Sequence, residues 1–273
     1  MNTRGLDRAL GALGPYLDDL VLCGAWAWFL YRRCLGRRTW IPAEFTRDLD
    51  CVGREKLRVR GSTVVDRLLA RDFRWVPRGE ETPPVASFVW PLEGRADIEL
   101  EFLVPARGDG SRRILEIQSG LTAQALGDLE IVRANPLRLE IDDLSPLAGE
   151  LSFRGAVQVP RVGHFVVQKA LIHDRRTPSE QIKDFFHVFD LIDRENGMSD
   201  EALADVVAAK SKWSGEVATF VGVLERRLRE PRFLVGVSEQ LPPERRPSPT
   251  YIEREMRAWL ERLTAIPGSQ HLR

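Results

Sequence analysis

Disulfide bonding, zinc ligation and membrane insertion each lack their usual sequence requirements in this chain. The three cysteines, Cys23, Cys34 and Cys51, are an odd number without CxxC or Cys/His metal spacing, which argues against a disulfide framework and a zinc site. Buried free thiols are expected instead, with Cys51 facing the core beside Leu49. No stretch approaches the roughly 20 apolar residues of a membrane-spanning helix. The first residues carry Arg4, Asp7 and Arg8 with no uninterrupted apolar run behind them, so a soluble, cytoplasmic protein without a membrane partner is expected. His164, His173 and His187 do not have HExxH spacing and read as surface or capping residues.

Charge of one sign is also missing in excess. Forty Lys+Arg balance forty Asp+Glu, which excludes a global field that would draw the protein to nucleic acid or membrane. Any basic patch must be local; Arg32, Arg33, Arg37 and Arg38 form one such run and Arg226, Arg227 and Arg229 another, although either also reads as a solvated helix face. There is no internal repeat or low-complexity tract.

What the chain does have is acid at strand spacing. Arg47-Asp48-Leu49-Asp50 sits in a segment, Thr46 to Val52, that reads as a strand. Residues i and i+2 of a strand lie on one face about 6.6 Å apart, so Asp48 and Asp50 point the same way. Later, Asp97-Ile98-Glu99-Leu100-Glu101-Phe102 alternates cleanly, with acids on one side and apolar residues on the other. A dry group of like charges is costly unless a cation or protons neutralise it, and hard oxygen ligands that leave room for phosphate oxygens suit Mg²⁺. Upstream, Val21-Leu22-Cys23 reads as a short buried strand ended by Gly24-Ala25 and followed by the helix Trp26 to Arg33. Glycine permits a tight turn, and the amides opening the next helix attract anions. Each feature also has a plain reading: acid-x-acid triplets occur on solvated strands, Gly24-Ala25 can be only a turn, Lys169 and Lys183 can be surface cations, Asp97 and Glu99 solvent-facing, and Trp26 and Trp28 core. Trp40, in a loop, could instead stack on a base.

With 273 residues, 43% of them hydrophobic, one catalytic domain with a helical appendage fits. Helical spacing predicts Leu6 to Leu20 with a break or kink at Pro15, and Thr63 to Phe73. Val85 to Trp90 and Asp97 to Val104 read as an antiparallel hairpin around Glu93-Gly94-Arg95, with further strands at Arg113 to Gln118, Arg138 to Ile141 and Ala156 to Val159. From His164 the pattern is helical: His164 to His173, Ser179 to Ile192, Ser199 to Leu228 with an interruption at Ser214-Gly215, and Thr250 to Thr264. Ser238 to Pro249, with four prolines, is a linker. The expected fold is α+β, a mixed sheet with flanking helices over residues 1–162 followed by a helical region over 163–273.

This order of residues resembles the DNA polymerase beta-like nucleotidyltransferase superfamily: Gly24-Ala25, a helix, Asp48-x-Asp50, then the acid within Leu100-Glu101-Phe102. Gln168-Lys169-Ala170-Leu171 and Lys183-Asp184-Phe185-Phe186 are similar to its abortive-infection branch, which includes toxins of bacterial toxin-antitoxin pairs. The resemblance covers roughly residues 15 to 195. It implies transfer of a nucleoside monophosphate from a nucleoside triphosphate to an acceptor hydroxyl on RNA (transfer RNA for the toxins), a protein or a small molecule, and a cognate antitoxin as a further partner. It also implies Mg²⁺ or Mn²⁺ as cofactor, held by Asp48, Asp50 and Glu101 as the catalytic carboxylates. Nucleotide contacts fall to Gly24, Ala25, Thr46, Arg47, Lys169, Lys183 and Asp184, with Lys169 facing phosphate. Two positions depart from the family pattern: a serine is common where Ala25 stands, and an aspartate where Glu101 stands. The alternatives are a catalytically silent relative that binds nucleotide or a protein partner, and a glycosyltransferase using the DxD pair for a nucleotide sugar.

Overall fold

The computed structural model describes residues 3–36, 47–77, 86–91, 98–106 and 113–266. The expected contributions of Thr46, Asp97, Trp40, Arg37, Arg38 and the Glu93-Gly94-Arg95 turn lie outside these residues. The chain divides into two compact units, one of Met1–Cys34 and Ala43–Pro160, the other built on Arg161–Arg273.

The first unit is a mixed sheet with helices. In chain order it contains α1 (Thr3–Leu13), β1 (Val21–Leu22), α2 (Gly24–Cys34), β2 (Asp48–Val52), α3 (Val64–Leu69), β3 (Arg74–Pro77), β4 (Ala86–Trp90), β5 (Ile98–Pro105), β6 (Arg113–Gln118), β7 (Leu121–Leu126), α4 (Glu130–Arg133), β8 (Leu137–Ile141) and β9 (Gly155–Val159). The strand order is β3-β4-β5-β2-β1-β9-β8, and β7 joins β5 to β6. β4 and β5 pair antiparallel, whereas β2 pairs with β5, β1 with β9 and β5 with β7 in parallel.

Alternation in β2 and β5 decides which face is core. Leu49, Cys51, Ile98, Leu100 and Phe102 are buried, and Phe102 meets Phe88 edge-to-face at 6.3 Å. Helix α1 covers this side, burying Leu6, Ala9, Leu10 and Leu13 and resting Gly5 against Ile98. Pro15 does end α1, after which Gly14–Tyr16 continues as a single 3₁₀ turn. Helix α3 is shorter than its apolar pattern suggested. A capping box between Thr63 and Asp66 starts it, and Asp72 at φ 68° turns the chain into β3. β3 is an exposed edge strand too short to show a period, and β7, which follows a tight turn at Gly120 (φ 72°), alternates buried and part-exposed residues; neither was expected.

The second unit is helical: α5 (Val162–Leu171), α6 (Pro178–Ile192), α7 (Ser199–Ala209), α8 (Ser214–Arg227), α9 (Pro231–Ser238) and α10 (Pro249–Ala265). The interruption expected at Ser214-Gly215 falls just before them: the chain breaks between Ala209, where α7 ends, and Ser214, which opens α8. α5 packs on α6, α7 and α8, and at Gly163 the contact is so close that a Cβ would stand 2.7 Å from the Ala202 carbonyl oxygen and the Val206 amide nitrogen. Thr177 and Glu180 form a capping box for α6, and Ser248 caps α10 by accepting the Tyr251 amide. Helix α9 lies in a stretch to which no element was assigned, just before the proline linker; Pro231 at its first turn is the signal that marks it. Among the described residues no helix is long and apolar enough to cross a membrane.

Candidate functional site

The parallel register of β2 on β5 sets Asp48 opposite Glu99 and Asp50 opposite Glu101. Paired residues on neighbouring strands share a face, so Asp48, Asp50, Glu99 and Glu101 stand together on the side opposite Leu49, Cys51, Leu100 and Phe102. Asp48 is exposed and the other three are half-buried. Glu99 therefore belongs to the same face as the expected acids, a placement that alternation within β5 allowed but only register could establish.

The turn after β1 reaches this face. β1 runs antiparallel to β2, with Leu22 opposite Cys51, and the Cys23 amide donates to the Asp50 carbonyl at 2.9 Å. Gly24 follows at φ 64° and opens α2. A Cβ there would collide with Asp50 Oδ2, so the position needs glycine both for its backbone and for the space the carboxylate occupies. Ala25 is buried in the first turn of α2, where backbone amides have no intrahelical partner. Arg47 is exposed just before β2, and its carbonyl accepts the Glu99 amide at 3.0 Å.

Asp48, Asp50, Glu99 and Glu101 offer carboxylate oxygens to this face, which fit a hard divalent cation such as Mg²⁺ or Mn²⁺. Among the described residues, no group of three or more His, Cys, Asp or Glu side chains is gathered tightly enough to hold a metal by itself.

In the second unit Lys169 donates to Asp184 Oδ1 at 2.6 Å, and the two side chains are 5% and 3% exposed. Arg176 Nε lies 3.6 Å from Asp184 Oδ2. Burial pushes Asp184 up, but Lys169, His187 and Arg176 outweigh it and hold the carboxyl below its ordinary range. The lysine expected to face phosphate thus ends on a carboxylate one helix away. Lys183 is half-buried on α6.

The histidines depart from their expected surface roles: His164, His173 and His187 are all buried. His187 is held neutral, its pKa pushed down to about 3 by burial and by Lys169, against the attraction of Asp184. His173 accepts Arg227 Nε at 2.7 Å, and burial with that guanidinium lowers its pKa. Most described members of the two basic runs are buried or paired with acids. Arg32 is buried, Arg33 pairs with Glu150, Arg226 pairs with Asp174, and Arg227 also binds Glu230 and Gln181. Cys23 and Cys51 are buried thiols as expected, and burial raises Cys51 far above the ordinary range. Cys34 is half-buried, with its pKa raised to about 11 by partial burial.

A family model described as "Nucleotidyltransferase" matches residues 2–185, a span that contains the Gly24 turn, both acidic strands and Lys169 with Asp184. The chain belongs to this family. No curated protein and no solved structure matches it. In this nucleotidyltransferase the matched span takes in the whole sheet, α5 and the first half of α6.

Proposed function

We propose that this nucleotidyltransferase moves a nucleoside monophosphate from a nucleoside triphosphate to an acceptor hydroxyl, with a divalent cation, at the acidic face of β2 and β5. The observation that carries this reading is the register that sets Asp48 and Asp50 beside Glu99 and Glu101, with the Gly24 turn closed against Asp50. Mg²⁺ or Mn²⁺, when bound, would neutralise charge on the triphosphate and lower the pKa of the acceptor hydroxyl. Asp48 and Asp50 would hold it, and Glu101 would orient the attacking hydroxyl or accept its proton. The amides of Gly24 and Ala25 would receive a phosphate, with positioning and charge neutralisation supplying most of the rate. Arg47, exposed beside Asp48, would add a cation for the leaving phosphates, and Thr46 is carried with it from the family resemblance. Lys169, Lys183 and Asp184 are carried in the same way as nucleotide contacts.

The acceptor proposed is RNA, with a role as the toxin of a defence pair and a cognate antitoxin as partner. Incubation with each labelled nucleoside triphosphate, Mg²⁺ or Mn²⁺ and total cellular RNA tests the reading. Label should move to RNA with the parent and not with Asp48→Ala or Asp50→Ala. Transfer near the parent level in either folded variant would remove these residues from the site.

A second reading rests on Ala25 and Glu101, where the family more often has serine and aspartate: a relative that binds metal and nucleotide without turnover. It predicts nucleotide affinity that depends on Asp48 but no released pyrophosphate.

A further inference from the structure

Although the chain is neutral overall, the segment that leaves β2, Gly53-Arg54-Glu55-Lys56-Leu57-Arg58-Val59-Arg60, carries four cations against one acid. It forms no strand, yet it is held by buried groups. The Gly53 amide donates to the Leu103 carbonyl at 2.8 Å and the Leu57 amide to the Ile117 carbonyl at 2.7 Å. Gln118, 6% exposed, donates to the Leu57 carbonyl at 3.2 Å and accepts the Val64 amide at 2.6 Å. Tyr16, itself buried, accepts the Arg60 amide at 3.0 Å and donates to the Ser62 carbonyl at 2.5 Å.

Leu57 turns into the core while Arg54, Lys56 and Arg58 remain exposed. Arg60 has an acidic partner, Asp19 at 2.7 Å. Among the described residues no acid is paired with Arg54, Lys56 or Arg58. Arg133 of α4 is half-buried close enough to feel Arg54: burial lowers its pKa first, and Arg54 adds to the depression against Glu130 and Asp19. Cations collected on a fixed backbone, with side-chain ends left in water, are what a polyanion needs, because the backbone is already ordered and only the side chains must be placed.

We propose that Arg54, Lys56 and Arg58 form a binding ribbon for the phosphodiester backbone of single-stranded RNA. The ribbon begins four residues after Asp50, at most about 14 Å away by chain reach, so an RNA lying on it passes within a few nucleotides of the acidic face. An irregular ribbon has no helix to lay in a duplex groove, which favours a single strand. RNA offers the ribbon its phosphates and carries a hydroxyl on every sugar. This inference rests on the nucleotidyl-transfer reading for the choice of RNA.

The test measures binding of a fluorescently labelled 20-nucleotide single-stranded RNA by anisotropy across a salt series, with no nucleotide present. Each lost phosphate contact should flatten the plot of log affinity against log salt by about 0.7. Arg54→Gln/Lys56→Gln/Arg58→Gln should therefore flatten it by about 2 and weaken binding at low salt at least about tenfold, with Lys56→Gln and Arg58→Gln alone each flattening it by about 0.7. A charge-matched variant on exposed positions of the second unit, Lys212→Gln/Arg229→Gln/Arg232→Gln, should leave the slope unchanged. Parent-like affinity and slope in the ribbon variants, or equal losses in the charge-matched variant, would each overturn the proposal. Failure of the transfer reading would appear separately, as absent label transfer while RNA binding stays sensitive to the ribbon substitutions.

Discussion

Gly24→Ala offers a measurement of whether the Gly24 turn and the Asp50 carboxylate touch, without any substrate. An added Cβ faces two costs. At φ 64° an L-residue in the left-handed region costs about 1–2 kcal/mol relative to glycine. The Cβ would also overlap Asp50 Oδ2, with the Asp50 Cγ at 3.5 Å and Cβ at 3.9 Å. Displacing the carboxylate or the turn to relieve such overlap costs about 1–3 kcal/mol, as for other overpacked positions. Denaturant unfolding of the parent and Gly24→Ala should therefore differ by about 2–5 kcal/mol. In an Asp50→Ala background the carboxyl is gone, leaving only the Asp50 Cβ at ordinary contact distance. There Gly24→Ala should cost the backbone term alone, about 1–2 kcal/mol. The coupling between the two sites, the quantity a double-mutant cycle isolates, should be about 1–3 kcal/mol. A coupling near zero would show that Asp50 does not lie over the turn, and the proposed triphosphate cradle would lose its geometry. Gly24→Ala should also abolish nucleotidyl transfer, because it moves the Asp50 carboxylate proposed to hold the cation.

Mg²⁺ or Mn²⁺ at 100 times its dissociation constant should stabilise the folded chain by about 2.7 kcal/mol, and Asp48→Asn should shrink that response; melting temperatures with and without a non-hydrolysable triphosphate report it, and equal shifts in parent and variant would remove the metal site. Glu101→Gln should lose turnover while keeping much of the nucleotide affinity, and unchanged turnover would pass the role to Glu99 on the same face. Lys169→Met leaves Asp184 buried without its hydrogen-bonded cation, Arg176 standing 3.6 Å away, and should cost about 3–5 kcal/mol, whereas Lys169→Met/Asp184→Leu should recover most of it; an equal loss in both variants would contradict the pairing. His187, at about 3 when folded and 6.5 when free, is depressed, so its contribution is complete above pH 6.5 and falls with pH, by about 1.4 kcal/mol per unit or about 2 kcal/mol by pH 5; Asp184, also depressed, loses its share at lower pH in the same direction. Urea titrations at pH 7 and pH 5 should show this acid loss reduced in His187→Gln, and an unreduced loss would refute the assignment.

The sequence by itself determined which side chains share a face. The parity of Asp48 and Asp50, the alternation of Ile98 to Phe102, the break at Pro15 and a cap at Ser62 or Thr63 are local consequences of backbone geometry, and they needed no partner strand to be legible. The family resemblance likewise rested on local order along the chain. Tertiary structure alone decided that β2 and β5 pair in parallel with Asp48 beside Glu99 and Asp50 beside Glu101, and that the Gly24 turn closes on Asp50. It also decided that Lys169 is salt-bonded to Asp184 and that three histidines are buried. Register between distant strands and the partner of a charged group depend on which buried surfaces fit together, and that is set by packing of segments far apart in sequence, which no local period encodes.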